Sequence, residues 1–176
     1  MNKQFLSPHF ELSEFIASRT AREHGIDNTP PAEAVENLRA LCVHTLEPLR
    51  NALGLPIIIT SGYRTKALNH LLVNHSVKSQ HMNGEAADFY VAEPKDLNLE
   101  PLTLNPATRT RRELLIKAFR QIITDDAIAF DQLIIYPSFI HVSYVRNRRK
   151  NRSKLTKAFA NGSYAALTRA QALSLE

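Results

Sequence analysis

Residues 79–90 read SQHMNGEAADFY, with an Asn-Gly pair at 83–84 between a histidine and an aspartate seven residues later. Asn-Gly favours a two-residue hairpin turn, because both central positions of that turn need positive φ. With Asn83 and Gly84 as the turn, Met82 pairs with Glu85 and His81 lies opposite Ala86. Side chains alternate along a strand, so Asp88 shares a face with Ala86 and with His81. The spacing therefore predicts an imidazole and a carboxylate as diagonal neighbours, able to share a metal ion. By the same parity Glu85 points away from His81.

Working outward, LPIIITSGYR (55–64) contains four consecutive β-branched residues, Ile57 to Thr60, and reads as a buried strand. TKALNHLLVN (65–74) reads as a short helix. Ser13 is the expected cap of a helix running to about residue 23. A turn-rich break, GIDNTPP (25–31), precedes a long helix expected from Thr29. Val35, Leu38, Leu41, Cys42, Leu46, Leu49 and Leu53 follow it at helical spacing, Pro48 should kink or split it, and Gly54 should end it. Residues 92–106 have no period and three prolines, and read as a surface loop. Asn105 and Pro106 open a further helix through Ile123.

FDQLIIY (130–136) and FIHVSYV (139–145) read as two strands joined by Pro137 and Ser138. In the second, Ile140 and Val142 claim the core face, so His141 faces a cleft or solvent. With His81 and Asp88 it would complete a His-Asp-His set, and three protein ligands with one open position is the arrangement of a catalytic zinc. The tail reads as a basic run, then a helical-looking SYAALTRAQALSLE (163–176). Helices followed by a small sheet give an α+β fold: a small antiparallel sheet carrying a zinc cleft, flanked by helices.

The chain has 176 residues, 44% hydrophobic and 22% charged, which suits one globular domain with a substantial core. Two regions are expected, a zinc-cleft domain over 1–145 and a basic C-terminal extension over 146–176, packed on the domain or trailing from it. The net charge of +5 is local, since RNRRKNRSKLTK (146–157) holds seven basic residues and leaves fifteen basic against seventeen acidic elsewhere. Such a run usually forms a solvated face, and no aromatic residue interleaves it, so nucleic acid is not the expected partner. No apolar run approaches a membrane span, so no insertion is expected. The single cysteine, Cys42, excludes an internal disulfide and a cysteine zinc cage and reads as a buried hydrophobe. The N-terminus, with Glu11 and Glu14 and no apolar stretch, lacks the look of a secretory leader. The expectation is a chain cytoplasmic as synthesised.

Three ordered stretches carry a resemblance: SGYRTKALN (61–69), SQHMNGEAADF (79–89) and FDQLIIYPSFIHVSY (130–144). The chain resembles the zinc D-alanyl-D-alanine carboxypeptidase family, which includes murein endopeptidases and shares its fold with the Hedgehog signalling domain. The family pattern Ser-x-His-x-x-Gly-x-Ala-x-Asp falls on Ser79, His81, Gly84, Ala86 and Asp88 without a mismatch, and the similarity covers residues 5 to 145. The resemblance implies zinc held by His81, Asp88 and His141. It implies that Arg64 approaches substrate or oxyanion, where a guanidinium can fork onto a carboxylate, and that Ser79 binds substrate backbone. His9, His24, His44, His70 and His75 match no metal position. The implied activity is hydrolysis of a D-amino-acid peptide bond in peptidoglycan stem peptides, as carboxypeptidase or endopeptidase, with a zinc-held water as nucleophile. For a chain with no visible leader, the resemblance implies action on the cell wall after release, in the manner of a phage or prophage lysin.

The match departs at the general base. Many members carry an acid three residues before the last zinc histidine, where Ser138 stands here, and others carry one at the position of Tyr136. Neither serine nor tyrosine is a base near neutral pH. Asp131 is expected at the far end of its strand. The alternative function is thus a zinc-containing domain that binds murein or a protein partner without cleaving it.

Overall fold

The computed structural model describes residues 3–73, 76–92 and 111–176. Its sheet follows from alternation. In β4 (Ala86–Val91) Ala87, Phe89 and Val91 are buried in the core; in β5 (Gln132–Ile135) Leu133 and Ile135 are; in β6 (Ile140–Ser143) Ile140 and Val142 are. Each alternate residue, Asp88, Ile134 and His141 among them, faces the opposite side. Six strands are present, in the order β3-β4-β6-β5-β7-β8, with β3 at Ile57–Ser61, β7 at Lys154–Ala158 and β8 at Tyr164–Ala166. Neighbours are antiparallel except β5 and β7, which run parallel. The expected α+β fold with flanking helices is present; the sheet is larger than expected and not wholly antiparallel.

The core lies on one face of this sheet. Helix α3 (Ala32–Leu41) contributes Ala34, Leu38 and Leu41 at positions i, i+4 and i+7, and α4 (Glu47–Leu53) contributes Leu49 and Leu53. Helix α6 (Arg111–Thr124) packs on β4, β5 and α4 through Leu115, Phe119 and Ile122. Pro48 divides the long helix as expected. It has no N–H for the His44 carbonyl, which accepts from Ala129 N instead at 3.0 Å, and the chain widens to a π-turn over Cys42–Leu46. Gly54 ends α4 at φ +65°. Cys42 is fully buried, and its thiol is pushed well up by burial.

Several local expectations fail for identifiable reasons. Thr29 does not cap α3, which starts at Ala32 behind Pro31; Thr29 bonds Asp27 Oδ1 through both its backbone N–H and its hydroxyl. The single helix capped by Ser13 is two, α1 (Leu12–Ile16) and α2 (Arg19–Glu23), because Ser18 accepts from Ala21 N and starts a new one. A small hairpin, β1 (Phe5–Ser7) with β2 (Phe10–Glu11), precedes them. Strand β3 is an edge strand and not a buried one, with Ile57 inward and Ile58 exposed. Thr65 caps α5 (Lys66–Leu71). The tail forms β7, β8 and only a short final helix, α7 (Arg169–Leu173). The loop expected over 92–106 and the helix start at Asn105 and Pro106 lie outside the described residues, apart from Ala92. No helix of the described residues is long and apolar enough to cross a membrane.

Candidate metal centre and cleft

The Asn-Gly pair does not make a hairpin. Residues Gln80–Asn83 form a 3-10 turn, and Gly84, at φ +71°, ends it. Positive φ suits the end of a helical turn as well as a hairpin, so Asn-Gly signals either. Strand β4 is already paired on both edges, with β3 and β6, which leaves no place for a hairpin partner. The turn is tied to α3: Asn37 Nδ2 donates to Asn83 O at 2.8 Å, and a Cβ on Gly84 would meet the Ala34 backbone. His81 therefore does not lie on a strand opposite Ala86, although its side chain arrives beside Asp88.

Asp88 and His141 are direct cross-strand partners on β4 and β6. His81 enters from the 3-10 turn. Its Nε2 lies 3.3 Å from Asp88 Oδ1 and 3.2 Å from His141 Nδ1, and His141 Nδ1 lies 2.8 Å from Asp88 Oδ1. His81 Nδ1 sits 2.6 Å from the Gly62 carbonyl, which can only accept, so the ring proton is on Nδ1 and the Nε2 lone pair faces the cluster. Gly62 itself is required by close approach, since a Cβ there would stand 2.6 Å from Phe15 Cβ.

Burial holds the His81 imidazole below its ordinary value, against the pull of the Asp88 carboxylate. Burial would raise the Asp88 carboxyl, but the His81 and His141 rings outweigh it and hold Asp88 well below the usual carboxylate range. The donor set is thus a carboxylate and two imidazole nitrogens, with at most one proton, on His141 Nδ1, to share among three converging atoms. A cation fits that shortage. Ligands on a tetrahedral zinc with bonds of about 2.0–2.1 Å stand roughly 3.3 Å apart, close to the separations found. This is the one such cluster among the described residues.

Arg64 lies beside it. Its backbone N–H donates to His81 O at 3.1 Å, and its buried Nε finds no partner among the described residues. Burial lowers the guanidinium's affinity for its proton, while Asp88 opposes this. The loop is clamped by Asn28, which sequence reasoning passed over as part of a turn. Its side chain donates to Ile16 O and Tyr63 O and accepts from Thr65 N, each within 3.0 Å. Ser79 is half-buried on the cleft wall and makes no side-chain cap bond to the turn it precedes.

The cluster forms one end of a cleft of about 680 Å³. Its far wall comes from β7 and β8, which the sequence offered only as a basic run and a helical-looking tail. Among the described lining residues Asp88 is the only acid. Ser138 is exposed and does not line the cleft, and Glu85 bonds Asn83 Nδ2. Asp131 is buried and committed to Arg152 and Gln80. Tyr136 does line the cleft, stacked on Phe139, with its hydroxyl 3.1 Å from that of Tyr164. Burial, then the Tyr164 bond, push its pKa well up, so it remains an O–H.

A family model described as Peptidase M15 matches residues 8–123, about two thirds of the chain. That span contains Arg64, Ser79, His81 and Asp88 and ends before His141. No curated protein matches the chain.

Proposed function

The chain belongs to the Peptidase M15 family of zinc peptidases acting on peptidoglycan-related substrates, and from that premise we propose that it hydrolyses a D-amino-acid peptide bond in peptidoglycan stem peptides, as a carboxypeptidase or endopeptidase. The observation that carries the reading is the convergence of His81, Asp88 and His141 at one end of an open cleft, with an Arg64 Nε alongside that has no partner among the described residues.

Zinc, when held by these three residues, supplies a Lewis acid that polarises a carbonyl and brings the pKa of water to about 7. The chain's own groups do the rest. The Gly62 carbonyl holds the Nδ1 proton of His81 and so keeps Nε2 available to the metal. Arg64 can fork onto a substrate carboxylate or stabilise charge developing on the scissile carbonyl. Ser79 lies on the cleft wall, and its hydroxyl can bond substrate backbone. Tyr136, kept protonated, can donate a hydrogen bond but not accept a proton.

That last point favours a second reading. With no acid besides Asp88 on the described cleft wall, the domain would bind murein and not cleave it. Mass spectrometry of muropeptides incubated with zinc-loaded protein separates the two. Loss of a terminal alanine, or cleavage of a cross-link, is expected with the wild type and absent with His81→Ala. Stoichiometric zinc with no product would leave the binding reading standing.

A further inference from the structure

Resting on the reading of this cleft as a peptidase site, we propose that β7 carries a subsite, formed by Lys154 and Thr156, for a free carboxylate about three residues from the cleaved bond. The sheet register places it. Asp88 pairs with His141, His141 with Ile134, and Ile134 with Thr156, so one row crosses β4, β6, β5 and β7. Residues in one row share a face, and here it is the cleft face. Thr156 is two strands from His141, or about 10 Å at the usual strand spacing, and an extended peptide covers that distance in roughly three residues.

Neither side chain has a partner among the described residues. Thr156 is 6% exposed, and its hydroxyl finds no hydrogen-bond partner among the described residues. A buried hydroxyl left unpaired costs free energy that a bound acceptor would restore. Lys154 lies two residues earlier on the same face, exposed at the cleft wall, and no described acid pairs with it. The nearby Asp131 carboxylate is already neutralised by Arg152 at 2.9 Å. Lys78, also on the wall, adds a second cation. The cleft beyond the metal cluster is therefore cationic and draws anions. A carboxylate accepts from an ammonium and a hydroxyl together; a primary amide in its place keeps the hydroxyl contact but loses the charge.

The test uses two synthetic peptides, L-Ala–γ-D-Glu–L-Lys–D-Ala–D-Ala and the same peptide with the glutamate α-carboxylate amidated. That carboxylate is on the third residue back from the final bond. Equilibrium binding to the full chain is read by calorimetry, without metal and therefore without turnover. The acid is expected to bind about tenfold more tightly than the amide. Lys154→Gln should reduce that preference to within about twofold, and Lys154→Arg should keep most of it. Thr156→Val should weaken the acid peptide with no fall in the thermal midpoint, because the hydroxyl it removes has no partner. Equal binding of the two peptides to the wild type, no binding of either, or an unchanged preference in Lys154→Gln overturns the subsite. A preference intact in a zinc-loaded protein that cleaves neither peptide would sink the peptidase reading and leave the subsite; cleavage of both without preference would do the reverse.

Discussion

At one end of the cleft, three donor atoms stand 2.8 to 3.3 Å apart on a turn and two central strands, held by Gly62, Gly84 and Asn37. At the other end, β7 and β8 extend the sheet to its edge and present Lys154, Thr156 and Tyr164 to the same space. The first end is crowded and internally committed. The second is open, and there the Thr156 hydroxyl has no partner among the described residues, while the Tyr164 hydroxyl is shared with Tyr136. Positions that hold a metal tolerate little change because each ligand's orientation depends on backbone packed behind it. At the open end only β8 is an edge strand, while β7 pairs on both sides, with β5 and β8.

The largest effect is expected from removing a candidate ligand. His81→Ala should reduce bound zinc from about one per chain to near none, because two remaining ligands leave the tetrahedral site incomplete. Metal analysis after dialysis checks this, and a retained full equivalent would show that the cluster is not the metal site. Next comes the packing behind the ligands. Gly84→Ala forces a Cβ onto the Ala34 backbone at a positive φ, and should cost roughly 2–4 kcal/mol in chemical denaturation. An unaffected midpoint would mean that the turn can move away from α3 freely.

Asn28→Ala removes three hydrogen bonds to backbone from the loop that carries Arg64, and should cost about 1–3 kcal/mol. Substrate KM measured alongside would reveal whether Arg64 shifts with the loop. The smallest effect is expected at the junction of the two ends. Arg152, from the basic run, bonds Asp131, which also holds Gln80 beside His81. Burial works to raise the Asp131 carboxyl, but the Arg152 bonds outweigh it and hold it below its ordinary value. The unfolded chain therefore binds that proton more tightly than the folded one. The stability from Asp131 is present above the ordinary carboxylate pKa of about 3.9 and is lost as pH falls through the lower folded value. Arg152→Gln should cost about 1 kcal/mol at pH 7, since the arginine is more than half exposed, and the two proteins should converge in strong acid. A constant gap from pH 7 down to pH 2 would show that Arg152 acts by packing.

Much of the ligand end was legible because its residues are few, polar and closely spaced. His141 was placed on the face opposite Ile140 and Val142 by strand period alone, and the structure has it there. The turn was misread because Asn-Gly supplies positive φ to two different structures, and only the pairing of both β4 edges decides between them. Strands β7 and β8 were missed for a related reason. Lys154–Ala158 reads KLTKA, too short and too charged to announce a strand. Its strand character comes from parallel pairing with β5, a partner twenty-two residues earlier.

The α+β composition, the division of the long helix at Pro48 and the three candidate ligands with their family are written in the residues alone. Each rests on a local property: period, a missing N–H, or residue type at fixed spacing. The approach of His81 from a 3-10 turn, the commitment of Asp131 to Arg152 and the place of the basic tail on the cleft wall come from long-range packing. Those depend on which distant backbone edges are free to pair, and strand pairing between distant segments leaves little local trace in a single chain.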